Sequence, residues 1–431
     1  MPEREHVMWL KQLHRLISGP RSKYPVKRKT SVRRRPLRPA IENLEDRLVL
    51  STLMVTNLND SPNFTPGDGS LRAEIAAAAK GDTIQFSPSL AGGTINLTDG
   101  QLTITKNLTI TGPGGSDVFI NGGHASRVFD IEGGTSGVTV KLGNLAVENG
   151  SAATGAGLLI NDVAGTVTLS NLFIADNAAA GAAGVPANHV DGPGGAGQSA
   201  LGGGLAFFGG AKATLVLSGD TVQNNSVNGG QGGKGGFGGI VGSGDGFGGS
   251  GGAGGAAQGG GLYLSGGTVQ VSGTTIANNL VRGGQGGMGG DGGVTAFAQN
   301  GPGGVGGDAG SVSGGGLYVA SGTVQLNGDT FQNNALAGGN GGLGGSGGNH
   351  GDTPGATRAT GATGNGETAS GGGVAVAGGS VQLTADLLVA NNAAAGSNRS
   401  SNAGVHAGGN GLGGGLFVVV GSVVLAGSAV L

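Results

Sequence analysis

One sentence of sequence is written twice with the same punctuation: GGGLYLSGGTVQVSGTTIANN at 259–279 and GGGLYVASGTVQLNGDTFQNN at 314–334. The spelling drifts and the spacing does not. Leu205, Leu262, Leu317, Val374 and Leu416 each follow a Gly triplet, and the triplets recur at offsets of 57, 55, 57 and then 42 residues. Inside the unit, Leu262, Leu264, Val269, Val271 and Ile276 alternate with residues such as Tyr263, Gln270 and Ser272. Alternation in three short bursts, parted by glycine, predicts three strands per unit with one face turned inward. A unit this thin cannot bury its own apolar face. Stacked copies can, so the spacing predicts a solenoid.

Composition agrees with that reading. The chain has 431 residues, 102 of them Gly and none Cys. Disulfides, thiol nucleophiles and Cys-based metal sites are therefore excluded. Collagen needs Gly at every third position throughout, which this chain lacks, and runs of Val, Leu and Ile argue against general disorder. The formal net charge of −2 conceals a split: residues 1–50 hold 13 Lys and Arg against 5 Asp and Glu, leaving 10 against 20 in the rest.

Three regions follow. Residues 1–51 are basic and broken by prolines at 20, 25, 36 and 39, which predicts a disordered, solvated tail. They lack the apolar run of a standard secretory signal, and they lack the interleaved aromatics of a nucleic-acid binder. Residues 52–112 begin with a strand-like LMVTN, a turn-rich stretch and then SLRAEIAAAAKGDTIQF. Ser70 suits a helix N-cap, Leu71, Ile75 and Ala78 share a face, Lys80 suits the last turn and Gly81 the stop. Such a helix would cover the raw end of a stack, which otherwise invites edge pairing. Residues 113–431 hold the coils, and from about residue 180 they carry long Gly-rich inserts such as 229–255. These inserts read equally well as loose loops or as GGX tracts paired side by side.

Three resemblances add to this. The segment IENLEDRLVLS at Ile41–Ser51 resembles the LEPR-type N-terminal segment of planctomycete surface and exported proteins, which implies export. VTNLNDSP, GSLRAEIAAAAKGDTIQF and GQLTITKNLTITGPG, in that order, resemble the CSLREA-type module, with Gly69 where the namesake has Cys. That resemblance implies the start of a right-handed parallel β-helix. Gly-Gly-Gly-Leu paired with Phe/Ile-x-x-Asn resembles the repeats of chlamydial-type polymorphic outer membrane proteins, which implies surface display and adhesion. The expected fold is thus an all-β, right-handed parallel β-helix with a short N-terminal capping helix and Gly-rich inserted loops.

The chemistry-bearing residues are few. Asn225, Asn279, Asn334 and Asn392 predict a ladder of amides at one turn, or else turn positions that tolerate left-handed geometry. Asp130 and Glu132 share a strand face near Arg127, while Lys141, Glu148 and Asp162 fall in nearby units; a solvated face explains them more simply than catalysis. GGMGGDGGV and GGVGGDAGS place Asp291 and Asp308 in half of a calcium-roll motif. Both lack its inward apolar residue, so chance is favoured over calcium and no cofactor is expected. The tail GLFVVVGSVVLAGSAVL aligns as one more coil with an apolar outer face, open to self-association, rather than as a membrane span. The function expected is a non-enzymatic, exported or cell-surface structural and adhesive protein. Its expected partners are a surface polysaccharide or another surface protein, with no nucleic acid. Carbohydrate binding or cleavage by a lyase or hydrolase in a groove of the helix is the alternative.

Overall fold

The computed structural model of the protein describes residues 50–431 apart from positions 62, 64, 115–117, 163, 240–245, 294–300, 349–358 and 398–407. The basic segment 1–49, with most of the LEPR-like stretch, lies outside the described residues.

The described chain is a right-handed parallel β-helix. Its strands pair in parallel throughout and form sheets of 15, 9, 6 and 5 strands. The positions singled out by spacing do stack. Leu205 pairs with Leu262, Leu262 with Leu317, Leu317 with Val374 and Val374 with Leu416. Val222, Ile276, Phe331, Leu388 and Val430 form a second column. Because side chains alternate along a strand, one register places every second residue of each coil in a continuous core. Leu262, Leu264, Val269, Val271 and Ile276 are all buried there.

The expected three strands per coil become four. One coil runs through Ala257–Gln258, Leu262–Ser272, Thr275–Ala277 and Leu280–Arg282. The longest strand turns a corner at Gly266 and Gly267, both with left-handed φ (84° and 64°), which is why Gly is needed there. The two-residue strands carry too few side chains for an alternation to show. Their buried Ala257, Val312 and Ala369 nevertheless join Val227, Val281 and Leu336 in a separate small core. On the outer face, Tyr263 stacks on Tyr318 at 5.5 Å between ring centroids and meets Phe208 at the same distance.

The helix Leu71–Ala77 forms where expected, with Ser70 Oγ accepting from the Ala73 N–H at 3.3 Å. Leu71, Ile75 and Ala78 enter the main core. The stop differs from expectation: the helix ends before Lys80, and Lys106 from the next coil donates to the carbonyls of Ala76 and Ala78 instead. A cation one coil away thus serves the helix C-terminus. Arg72 ties the same helix down through Asp60, at 2.6 Å, and through the carbonyls of Gly100 and Gln101.

The inserts leave after the fourth strand of one coil and return at the first strand of the next, and the paired reading of them holds. The N–H groups of Gly229, Gly232, Gly235 and Gly238 donate to Arg282, Gln285, Met288 and Asp291 of the following coil. Those of Gly230, Gly233 and Gly236 donate in another direction, to Gln198, Gly195 and Gly192. Hydrogen bonding that repeats every third residue is the signature of extended, three-fold chains of the polyproline II type. Outgoing and returning segments form two layers cross-linked by backbone bonds, such as Gly252 to Gly233 and Gly287 to Gly252. The third residue of each triplet (Lys234, Phe237, Met288, Val305) points to water.

The final segment is a further coil, as its glycine spacing predicts. Leu416–Val418, Ser422–Ala426 and Ala429–Val430 pair with the coil before. No helix among the described residues is long and apolar enough to cross a membrane.

Candidate functional site

Buried polar side chains are rare in this chain, so each marks a place where the fold needs chemistry. Apart from Ser70, Glu74 and Asp82 at the N-terminal helix, and Thr363 and Ser370, those among the described residues fall into two columns and one cluster.

The first column is the amide ladder. Asn177, Asn225, Asn279 and Asn334 are fully buried. Each Nδ2 donates to the Oδ1 of the next: Asn177 to Asn225 at 2.9 Å, Asn225 to Asn279 at 3.0 Å, and Asn279 to Asn334 and Asn334 to Asn391 at 2.9 Å. Each Nδ2 also donates to a backbone carbonyl of the preceding coil, and each Oδ1 accepts a backbone N–H as well. Every donor and acceptor of the amide is thereby used.

The ladder corrects one assignment. Its last rung is Asn391, and Asn392 is the exposed first residue of the strand Asn392–Ala394. In the three coils before, an Asn-Asn pair supplies both kinds of residue expected of Asn. Asn224, Asn278 and Asn333 take left-handed φ near 54°, and the Asn after each enters the ladder. At 391–392 the pair is displaced by one residue, so Ala390 occupies the left-handed position (φ 52°). Register decides this, because Ala335 pairs with Asn392. Asn177 is the rung that the spacing of the later coils does not reveal.

The second column escaped the sequence reading. Asp220, Asp329 and Asp386 are buried at one corner, with Thr274 between the first two. Asp220 accepts from Leu172 N–H at 2.7 Å and from Ser218 N–H at 3.0 Å. Asp329 accepts likewise from Thr274 and Asn327, and Asp386 accepts from Asp329 N–H. Each carboxylate thus straps its own coil to the one before. Burial, opposed by the two backbone N–H groups, pushes Asp220 up to about 7. Burial also raises Asp329, to about 6, with the neighbouring Asp386 charge adding to it. A signal was present in the Gly-Asp-Thr of 219–221 and 328–330.

The cluster lies on the outer face of the early coils. Arg127 pairs with Asp130 at 3.0 Å, Gln101 bridges the two, and Arg127 also donates to the carbonyls of Thr154 and Gly155. Glu132 is exposed on the same strand. Asp162 is buried at a corner and accepts from the N–H groups of Val138, Ala164 and Gly165. Lys141 and Glu148 lie on strands of different sheets. Arg127, Asp130 and Asp162 thus bond within the fold, while Glu132 and Lys141 are exposed, and the structure does not bring these charged positions into one group.

Asp291 and Asp308 sit on opposite layers of the insert slab. Gly307 faces Gly287, which places Asp308 about five residues out of step with Asp291. Each carboxylate accepts a backbone N–H of the next coil, Asp291 from Ser346 at 2.8 Å and Asp308 from Asn365 at 2.7 Å. Among the described residues, no group of three or more His, Cys, Asp or Glu could hold a metal ion.

No family model matches the chain, and no curated protein does. Among solved structures, the crystal structure of pectate lyase Pel9A is similar at 14% identity, over 88% of this chain and 78% of that one, with a TM-score of 0.28. The class these features define is the parallel β-helix, read from this chain's own strand registers.

Proposed function

We propose that this protein is a non-enzymatic structural and adhesive scaffold that works outside the cell or on its surface. The observation that carries the reading is the insert slab. Its glycines are spent on backbone bonds between coils, and its third residues project outward in rows. Such a slab holds side chains on a broad, rigid frame without needing a thick core. The buried Asn and Asp columns serve stacking in the same way. Export is supported by the LEPR-like segment ending at Ser51, and display by the Gly-Gly-Gly-Leu repeat.

The test is surface labelling of the tagged full-length chain in its source cells, with protease shaving of intact cells. Labelling of unbroken cells, and loss of the label on shaving, is the expected result. Retention in the cytoplasm would overturn export. Purified protein incubated with pectate or alginate, with and without calcium, is expected to release no unsaturated sugar ends; sustained release would overturn the non-enzymatic reading.

A further inference from the structure

The long sheet carries an outer face that neither the ladder, the slab nor the cap uses. In its second half Thr268 pairs with Thr323 and Thr323 with Ser380, giving a column of hydroxyls. One step along each strand, Gln270, Gln325 and Gln382 form a column of amides, and a third polar column begins at Ser272. The three glutamines are exposed. None of the three side-chain amides bonds to another described residue, although identical amides stacked in register could bond to each other as the buried asparagines do. Their donors and acceptors are left to water.

The grid is regular because the backbone makes it so. Columns stand about 6.6 Å apart, two residues of strand, and rungs about 4.8 Å apart, the spacing of paired strands. No Lys, Arg, Asp or Glu stands at these positions. The two coils before continue the face with Thr214, Val216 and Ser218, and with Thr166, Thr168 and Ser170.

We propose that this strip binds a neutral polysaccharide chain lying along the stack of coils. Each hydroxyl and amide of the grid both donates and accepts, as each sugar hydroxyl does, so the pairing needs no fixed direction. A polyanion would gain no Coulomb attraction from it, and nucleic-acid binding rests on Lys and Arg that are absent here. A protein partner would look for buried aromatic or Arg anchors, and the strip offers none. The proposal deepens the adhesive reading by naming the class of partner, and it rests on that reading only for where the partner is met.

The test is retention of the purified full-length protein on two insoluble neutral polysaccharides, cellulose and chitin. Wild type is expected to be depleted from solution by at least one of them. The triple variant Gln270→Ala, Gln325→Ala, Gln382→Ala is expected to bind at least about tenfold more weakly at an unchanged melting temperature. A control double variant, Lys80→Ala, Glu132→Ala, at exposed positions outside both the strip and the insert slab, is expected to bind as wild type does. Failure of wild type to bind either solid would overturn the proposal. So would equal retention of the triple variant, or stronger, salt-sensitive retention on insoluble pectate. Binding in vitro is read without reference to export, so its failure is distinguishable from a failure of surface labelling.

Discussion

Ala390 and Ala385 hold left-handed backbone, with φ of 52° and 57°. L residues with a Cβ adopt this at a cost of roughly 1–2 kcal/mol, while Gly does so freely and Asn at less cost. Other coils put Gly219, Gly273 and Gly328 at the place of Ala385, and Asn224, Asn278 and Asn333 at the place of Ala390. Ala385→Gly and Ala390→Asn are each expected to stabilise the protein by about 1 kcal/mol, seen as a rise in the midpoint of urea unfolding. The opposite sign is expected inside the ladder. Asn279→Ala would strip partners from Asn225 Nδ2, the Asn225 N–H and the Val222 carbonyl, all buried. Loss of about 3 kcal/mol or more is expected, since each orphaned buried group costs about 1–3 kcal/mol. A midpoint within error of wild type would show the ladder to be incidental.

Among elements, the insert slab makes the sharpest distinction between neighbouring residues. A Cβ on Gly287 would lie 2.0 Å from the Gly233 carbonyl oxygen, whereas the adjacent Met288 is exposed. The requirement is close approach between chains, not left-handed backbone. The first insert supports this. Where Gly230, Gly233 and Gly236 have a strand behind them, the matching Ala182, Val185 and Asn188 of the first insert do not, and Val185 is 76% exposed. Side chains return as soon as the space does, and they also blunt an edge that would otherwise recruit further chain. Gly287→Ala is expected to speed trypsin cleavage after Arg282, with Met288→Ala leaving the rate unchanged. Equal rates in the two variants would mean that the slab tolerates a side chain at the contact.

At the scale of the molecule, the Asp column sets a pH dependence of unusual sign. Asp220, Asp329 and Asp386 are raised from an ordinary 3.8 in the folded chain, chiefly by burial. The folded state therefore holds their protons more tightly than the unfolded state does. Their contribution is full below about 3.8 and is lost as pH climbs through about 6 to 7. On the acid side, Asp60, Asp68 and Asp82 around the N-terminal helix act oppositely. Burial works to raise Asp60, but its bonds to Arg72 and to Thr98 N–H outweigh it; Ser70 lowers Asp68 and Ser51 lowers Asp82. That contribution is lost as pH falls below about 3.8. The thermal midpoint is expected to peak at about pH 4, where the two limbs meet, and to fall towards pH 7. Asp220→Asn is expected to flatten the fall on the neutral side and leave the acid limb in place. A profile rising steadily to pH 8 would contradict the burial of these carboxylates.

What could be read from the chain alone was whatever is local and periodic. Alternation at Leu262, Leu264, Val269 and Val271 declares an inward face because burial is a property of each position, and equal spacing of the Gly triplets declares that faces superpose. What only the tertiary structure decided depends on partners some 55 residues away. Register chose Asn391 over Asn392, assembled Asp220, Asp329 and Asp386 into one column, and set Gly287 against Gly233. A hydrogen bond or a close contact belongs to two positions at once, and one strand's sequence names only the first of them.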